Sequence, residues 1–279
     1  MDEIIDKIID PDTELWQQIR AVHDWMVKNI AYDTTFTYYH ATDALAGRDV
    51  VCQGYAELFF VFMGELDVPC RMVTGTAYNS SGSGESHAWN AVQLNGAWYY
   101  VDVTWDDPLM LNEASGEATS DYPDGFNLRY DYFLVTSDSI SGNHKAETAL
   151  PAPSGTDTSY NEQAVALLRK ELIELAAANA RAEAGEGALV YAITADTDID
   201  ALLEQISAAA AEKAGAGSTE FVISVAYDRD VIEFNDLSEK IFESAKKGIN
   251  SAGFLFGGGS SGASVYSLYG IAKITVKVA

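Results

Sequence analysis

Apolar residues recur at steps of three and four in two segments near the start of the chain. This spacing places them on one face of a helix. The first predicted helix runs from Glu14 to Ile30, with Trp16, Ile19, Val22, Met26 and Ile30 as its buried stripe. A second helix follows Cys52, and its apolar face consists of Tyr55, Leu58, Phe59, Phe62, Met63 and Leu66.

A β-hairpin is predicted where two β-rich runs, Ser86 to Leu94 and Ala97 to Trp105, flank the dipeptide Asn95-Gly96. Asn-Gly is the strongest short-range signal for a two-residue hairpin turn. Such a turn sets Leu94 opposite Ala97 and Trp89 opposite Asp102. His87 then lies on the same face as Trp89 and diagonal to Asp102, within reach of a side-chain contact. A three-residue turn would place His87 and Asp102 on opposite faces.

The second half of the chain alternates between helical and strand patterns. Residues 151–160 have the composition of a linker between a domain at 1–150 and one at 161–279. Helices are predicted at 161–184, 199–214 and 237–249, and strands at 188–195 and 220–227, followed by one or two final strands that end in 271–278. This alternation predicts a small α/β or α+β domain.

Length and charge narrow the class of partner. A chain of 279 residues favours two domains, and 48% hydrophobic residues suffice for a core. The net charge is −25, and both halves are acidic. Nucleic acids and anionic membrane surfaces are therefore disfavoured as partners, whereas a basic or neutral polypeptide or a peptidoglycan stem peptide is better tolerated. No apolar run reaches the roughly 20 residues of a membrane-spanning helix.

The candidate chemistry centres on Cys52, which lies close to the start of its helix. A thiol becomes nucleophilic as the thiolate, which a helix N-terminus and a neighbouring imidazolium both stabilise. The hairpin supplies a histidine, His87, and a carboxylate, Asp102, that can orient it. Asp102 lies between Val101 and Val103, and a buried acid in an apolar strand requires a partner. Gly54, in the first helical turn, could leave room for a substrate.

Three motifs closely resemble the bacterial transglutaminase-like core, a branch of the papain-like cysteine hydrolase superfamily. They are VCQGYAELF, SHAWNAVQLNGAWYYVDVTWDDP and YDYFLVTSDSI followed by a histidine, within residues 13–147. The resemblance implies an α+β protein whose nucleophile helix packs on an antiparallel sheet, followed by the small C-terminal domain. It also implies that Cys52 is the nucleophile, His87 the general base and acid, and Asp102 the residue that orients His87.

The resemblance also implies an oxyanion hole. The backbone amide of Cys52 is its natural first donor, and Tyr38, Tyr39 and His40 are open candidates for the second. Gln53 is a further substrate candidate. Trp89, Trp105 and Tyr55 are candidates for a substrate groove, although core packing is the favoured interpretation for each of the three. His144 is expected to close the domain structurally. Because many relatives are exported, we expect a secreted or cell-surface protein whose leader is absent from this chain, with a cytoplasmic location as the alternative.

Several other features are given structural interpretations. Cys70 is expected in the core without a disulfide, and His23 is expected to be a partly exposed helical histidine. The glycine-rich stretch at 254–263 lacks the ending of a phosphate-binding loop and is interpreted as a flexible hairpin connection. The acidic stretch at 196–200 lacks the glycine and glutamate of a calcium loop and is interpreted as the start of the next helix. We expect no cofactor and no metal.

The sequence thus predicts thiol-dependent acyl transfer on peptide or isopeptide amides, with hydrolysis favoured over cross-linking. Nothing in the sequence indicates a dedicated amine site or calcium sites. Transglutaminase activity remains an alternative, because the same triad serves both reactions. A non-catalytic interaction or scaffold module of the cell envelope is the alternative from another class of function.

Overall fold

The computed structural model describes residues 1–107, 110–111, 118–119, 128–185, 187–265 and 269–279. The chain divides into two compact units, Met1–Val165 and Ala166–Ala279. Within the described ranges, no helix is both long enough and apolar enough to cross a membrane.

The first unit is an α+β structure. Its helices are α1 Asp2–Ile8, α2 Leu15–Asn29, α3 Ala41–Leu45, α4 Cys52–Glu65, α5 Val103–Asp106, α6 Ser137–Ile140 and the first residues of α7 Ser159–Ala184. Its strands are β1 Cys70–Tyr78, β2 Gly84–Leu94, β3 Ala97–Val101, β4 Met110–Leu111, β5 Ala118–Thr119 and β6 His144–Ala146. The main sheet has the strand order β3-β2-β1-β6, and all its pairs are antiparallel. The two predicted helices thus form as α2 and α4.

The hairpin of β2 and β3 has the predicted two-residue turn. Asn95 and Gly96 both have positive φ, at 50° and 83°, as a type I′ turn requires. Leu94 faces Ala97, so the predicted register is confirmed. The predicted strand to Trp105 is too long, however, because β3 ends at Val101 and α5 begins at Val103. The cause is Asp102, whose side chain accepts hydrogen bonds from the next turn's amides and caps α5.

Helix α4 packs against β1 and β2. Leu58, Phe59, Phe62 and Met63 are fully buried, so this face forms much of the core. Gly54 has a different role from the one that the sequence suggested. A Cβ at this position would lie 2.6 Å from the Cβ of Val50, so the missing side chain makes room for Val50 rather than for a substrate.

The short helix α5 is anchored to the helices around it by buried aspartates. Asp106 Oδ2 lies 3.2 Å from His23 Nε2 on α2, and Asp107 Oδ2 accepts the hydroxyl of Tyr55 on α4 at 2.6 Å. The prediction that His23 is partly exposed is wrong, since its side chain is fully buried. Burial opposes the charge on His23, but hydrogen bonds to Asp106 and Asp24 outweigh burial and raise its pKa to about 9. We assign the proton to His23 because two carboxylates face its ring.

The stretch predicted as a linker lies along the edge of β3. The amide of Trp98 donates to the carbonyl of Pro153 at 2.9 Å, and the amide of Gly155 donates to the carbonyl of Trp98 at 2.8 Å. Residues 153–155 thus extend the backbone pairing of the first unit. The domain boundaries at 150 and 161 stay a prediction.

The second unit is a small α+β structure, in which the described residues form a four-stranded sheet and helices. Its strands are β7 Leu189–Ile193, β8 Glu220–Asp228, β9 Phe256–Val265 and β10 Tyr269–Val278, in the order β7-β8-β10-β9. Its helices are the remainder of α7, then α8 Ile199–Gly215 and α9 Phe234–Ser251. The acidic stretch does begin a helix, because Asp198 caps α8 through the amide of Ala201 at 3.0 Å.

The interpretation of residues 254–263 as a flexible connection is wrong, because most of this stretch belongs to strand β9, which pairs with β10. Its glycines are explained by close packing. A Cβ on Gly259 would lie 2.6 Å from the ring of Phe242 on α9 and 2.1 Å from the carbonyl oxygen of Thr275. Gly258, with φ +90°, lies where the register with β10 shifts, as glycines in β-bulges do.

Helices α8 and α9 meet at Gly248. A Cβ at this position would lie 1.9 Å from the carbonyl oxygen of Ser207 on α8. The two helices share one core with the sheet, which includes Ile206, Ile241 and Ile274. The absence of a side chain at position 248 therefore allows the short distance between the backbones of the two helices.

The buried pair of His23 and Asp106 leads to a stability prediction. We expect His23→Leu to lower the free energy of unfolding by roughly 3–5 kcal/mol, because it leaves Asp106 buried without its partner. Urea denaturation measures this, and replacing both residues by leucine should recover much of the loss. Lys28→Gln, at an exposed position of the same helix, is the control and should change stability by less than about 0.5 kcal/mol.

The same pair predicts the pH dependence of that stability. The pKa of His23 is raised from 6.5 to about 9, so its contribution is complete below pH 6.5 and is lost as pH rises to about 9. In the His23→Leu variant, the free energy of unfolding should not show this decrease between pH 6.5 and about 9. A single variant as stable as the wild type across this range would show that the pair does not anchor α5.

The contact at Gly248 predicts that Gly248→Ala lowers the stability of the second unit by about 1–3 kcal/mol, through overpacking against α8. Gly215→Ala is the matched control. Its Cβ would meet nothing within 4 Å, so we expect no loss of stability. Thermal unfolding of both variants, followed by circular dichroism, measures the difference. Equal melting temperatures for the two variants would contradict the close approach of the two helices.

Candidate active site

Cys52 is the first residue of α4, a helix of 14 residues. Its side chain is half-buried and the thiol is free. The first amides of a helix have no partner inside the helix, and together with the helix dipole they favour negative charge at this end. Cys52 therefore lies at the electropositive end of α4.

His87 on β2 and Asp102 at the end of β3 are hydrogen-bonded. The Nε2 of His87 donates to the Oδ2 of Asp102 at 2.7 Å, and both side chains are buried. The other carboxylate oxygen, Oδ1, accepts the amides of Thr104 at 3.1 Å and Trp105 at 3.3 Å. Asp102 is thus held at both oxygens, which fixes the orientation of the His87 ring.

The charges of this pair reinforce one another. Burial opposes the protonation of His87, but the charge of Asp102 and hydrogen bonds to Asp102 and Cys52 outweigh burial and raise the pKa of His87 to about 10. Burial likewise opposes the ionisation of Asp102, yet His87 and His144 lower its pKa to about 2. At neutral pH the imidazolium therefore lies between a carboxylate and the thiol of Cys52.

A second histidine, His144 on β6, shares the same carboxylate oxygen. Its Nε2 lies 3.0 Å from the Oδ2 of Asp102, and its Nδ1 lies 2.7 Å from the Oδ1 of Asn143. The ring is enclosed by Trp89, Trp105 and Tyr132, with centroids 4.7–5.2 Å away. The sequence analysis gave His144 only a role in closing the domain, whereas the structure brings it into contact with Asp102.

The donor atoms of His87, Asp102 and His144 all lie within 4.8 Å of one another, so this group could hold a metal ion. A metal would have to replace both ring N–H protons that face the carboxylate. The two Nε2–Oδ2 distances, 2.7 and 3.0 Å, are hydrogen-bond lengths. We therefore interpret the group as a hydrogen-bonded network, and the expectation of no metal stays a prediction.

Two adjoining pockets open beside these residues. The larger, of about 660 Å³, contains Cys52, His87, Tyr39 and Gln53; we call it the thiol cleft. The smaller, of about 450 Å³, contains His87 and Trp105 but not Cys52; we call it the histidine-side pocket. Both are bordered by Tyr32, Phe36, Glu85 and His87.

The structure separates the candidates for the oxyanion hole and the substrate groove. Tyr39 and Gln53 line the thiol cleft, and Trp105 lines the histidine-side pocket. His40 lies with its Nδ1 3.2 Å from Glu57, and Tyr38 packs under the guanidinium of Arg48.

Two of the aromatic candidates are core residues. Trp89 is 1% exposed and its ring stacks on His87, so it is not available to a substrate. Tyr55 is also 1% exposed and donates to Asp107. Core packing, the alternative given for these side chains, therefore applies to both.

Three residues that were not predicted from the sequence border both pockets, namely Tyr32, Phe36 and Glu85. Tyr32 and Phe36 flank Asp33, whose carboxylate accepts the amides of Thr35, Thr37 and Tyr38. These hydrogen bonds outweigh the effect of burial and lower the pKa of Asp33 to about 2. The aspartate followed by threonines was a signal for such a turn.

Phe36 has φ +54° and a ring that is 62% exposed. A left-handed backbone at a non-glycine residue costs energy and is common at functional sites. The turn around Asp33 thus holds an exposed aromatic ring at the border of both pockets.

Comparison with known proteins shows which proteins this unit resembles. Residues 2–103 match the Transglutaminase-like superfamily. Human kyphoscoliosis peptidase is 32% identical over an alignment of 123 residues that covers 39% of this chain and 19% of the relative. The mouse protein of the same name is 31% identical over an equal span. The chain therefore spans about one fifth of the length of these curated relatives.

Two solved structures are similar in part. A putative cysteine protease from Cytophaga hutchinsonii has a TM-score of 0.33 at 18% identity and covers 56% of this chain and 53% of its own. An arylamine N-acetyltransferase from Bacillus cereus, described as having a unique Cys-His-Glu catalytic triad, has a TM-score of 0.30 at 14% identity. It covers 36% of this chain and 46% of its own.

The α+β architecture, with α4 packed on an antiparallel sheet, agrees with the family match and with the motifs around Cys52, His87 and Asp102. Residues 2–103 of this chain are thus similar to the Transglutaminase-like superfamily.

Proposed function

We propose that the protein catalyses acyl transfer from peptide or isopeptide amides through a triad of Cys52, His87 and Asp102, with hydrolysis as the main outcome. The observation that carries the proposal is the buried His87–Asp102 hydrogen bond of 2.7 Å, with Cys52 also raising the pKa of His87. The three side chains have the relation that nucleophilic catalysis requires, namely a nucleophile, a base beside it and a group that orients the base.

In the first step, the thiolate of Cys52 attacks the carbonyl carbon and the carbonyl electron pair moves to oxygen. The amide of Cys52, at the start of α4, is positioned to donate to this oxyanion. His87 gives its proton to the leaving nitrogen, the C–N bond breaks, and a thioester remains. The raised pKa of His87, about 10, keeps this proton in place at neutral pH.

In the second step, His87 takes a proton from water, and the oxygen of that water adds to the thioester carbonyl. The C–S bond then breaks, which releases a carboxylic acid and restores the thiolate. If a lysine amine adds instead of water, the product is a cross-link. We favour hydrolysis because nothing in the sequence indicates a dedicated amine site or calcium sites.

Peptides are the proposed substrate class, and the net charge of −25 favours basic or neutral ones. Peptidoglycan stem peptides and Lys-rich polypeptides are the forms that the sequence suggested. A location outside the cytoplasm remains a prediction from the family resemblance.

The first test measures the reactivity of Cys52 with iodoacetamide at pH 6.5. We expect His87→Ala to slow alkylation at least about tenfold, because the neighbouring imidazolium that stabilises the thiolate is lost. Cys70 should contribute little, since burial raises its pKa to about 12. Performing all measurements in a Cys70→Ala background removes this contribution, and Cys52→Ala gives the blank. Equal rates for the wild type and His87→Ala would show that no activated pair forms.

The second test distinguishes hydrolysis from cross-linking. A glutamine-containing peptide is incubated with a fluorescent primary amine, and the free acid and the amine adduct are quantified by mass spectrometry. We expect free acid as the main product and loss of both products in Cys52→Ala. Predominant amine incorporation would establish a transglutaminase instead. A reactive Cys52 without either product over a broad peptide set would favour the non-catalytic interaction module.

A further inference from the structure

The histidine-side pocket combines aromatic walls with carboxylates. Its described lining contains the rings of Tyr32, Phe36 and Trp105, two carboxylates, two threonines and His87. The carboxylates belong to Glu85, which is exposed, and Asp107, which is buried. None of these lining residues is a lysine or an arginine. Aromatic faces and carboxylates together are the groups that attract an organic cation.

Asp107 has a hydrogen-bond acceptor that no described residue uses. Its Oδ2 accepts the Tyr55 hydroxyl at 2.6 Å, but its Oδ1 is buried and has no hydrogen-bond partner among the residues that the structure describes. The residue is only 2% exposed. A buried carboxylate oxygen without a partner is costly, and in a pocket wall it is satisfied when a ligand supplies a donor.

The pKa of Asp107 agrees with this interpretation. Burial raises this pKa to about 7, with the Tyr55 hydroxyl and the charge of His23 acting in the opposite direction. A cation in the pocket would favour the ionised carboxylate and would gain a charge-assisted hydrogen bond.

The position of the pocket indicates which part of a substrate it would meet. Both Cys52 and His87 line the thiol cleft. Of these two residues, only His87 lines the histidine-side pocket. In the mechanism above, Cys52 bonds to the acyl part and His87 protonates the leaving amine. The segment that carries the leaving amine therefore lies on the side of His87, next to the histidine-side pocket.

We propose that the histidine-side pocket is a specificity subsite that binds a basic side chain, lysine or arginine, of the polypeptide segment on the amine side of the scissile bond. This inference rests on the proposed function for the direction of the substrate. The aliphatic part of the side chain packs against Trp105 and Tyr32, and its charged end meets Glu85 and Asp107.

The cleavage test uses a synthetic peptide library with every residue type at each position, and product sequencing by mass spectrometry. We expect lysine and arginine to be enriched at least about tenfold over norleucine in the first two positions after the cut, as one charge-assisted hydrogen bond would give. Glu85→Gln should reduce this preference about threefold, as loss of an exposed charge does. Asp107→Asn should reduce it further, while its amide oxygen still accepts the Tyr55 hydroxyl.

The matched control is Glu65→Gln. It makes the same change in net charge at an exposed residue at the end of α4, outside the lining of both pockets. We expect it to leave the preference unchanged. An equal reduction in Glu65→Gln and Glu85→Gln would assign the preference to the overall charge and would overturn the subsite.

A binding measurement makes the result independent of catalysis. Fluorescently labelled Ala-Ala-X-Ala-Ala peptides, with X as lysine, arginine, norleucine or glutamate, are titrated into the full-length Cys52→Ala protein. We expect the basic peptides to bind at least about tenfold more tightly than the norleucine peptide, and Glu85→Gln and Asp107→Asn to reduce that difference.

The outcomes distinguish the subsite from the proposed function. Cys52-dependent cleavage without a basic preference, or equal binding of lysine and norleucine peptides, overturns the subsite and leaves acyl transfer standing. Selective binding of the basic peptides, lost in the two pocket variants but without cleavage of any peptide, supports the subsite and contradicts the proposed reaction. No binding of any basic peptide at millimolar concentration overturns the subsite.

Discussion

The carboxylate of Asp102 is the group on which the geometry of the candidate site depends. Its Oδ2 accepts the ring N–H groups of His87 and His144, and its Oδ1 accepts the first amides of α5. A buried carboxylate is stable only if its oxygens are satisfied in this way. One side chain thereby ends β3, starts α5, orients His87 and ties β6 to the opposite edge of the sheet. Any loss at Asp102 would disturb the local fold and the charge on His87 together.

The other aspartates of this segment connect the site to the helices. Asp106 holds His23 on α2, and Asp107 holds Tyr55 on α4, three residues after Cys52. Three aspartates within six residues, Asp102, Asp106 and Asp107, thus connect this segment to the sheet, to α2 and to α4, the helix that carries the thiol. Because α4 is also the core helix, the distance between Cys52 and His87 is set by packing rather than by a mobile loop. The proposed reaction needs such precise placement of Cys52 and His87.

Local patterns sufficed for part of this structure. The Asn95-Gly96 turn fixed the register that brings His87 beside Asp102, and the spacing of apolar residues after Cys52 located α4 and its start. The contacts of His23 and His144 could not be predicted, because each partner lies tens of residues away in the sequence. Strand β9 was missed for a related reason. Glycines usually weaken a strand, but here they admit the ring of Phe242 from α9, a contact that the segment's own sequence does not reveal.

The site's two pockets bear on the choice between water and an amine. By microscopic reversibility, an acceptor amine approaches the thioester from the side on which the first amine left. In the proposed reaction, the histidine-side pocket would therefore serve the leaving segment and any acceptor alike, and a basic preference there would not by itself define a cross-linking enzyme. The reaction would be decided by how long the pocket stays filled after the C–N bond breaks. If the departing segment leaves quickly, water reaches His87 and hydrolysis follows. If a second basic segment replaces it first, the thioester meets an amine.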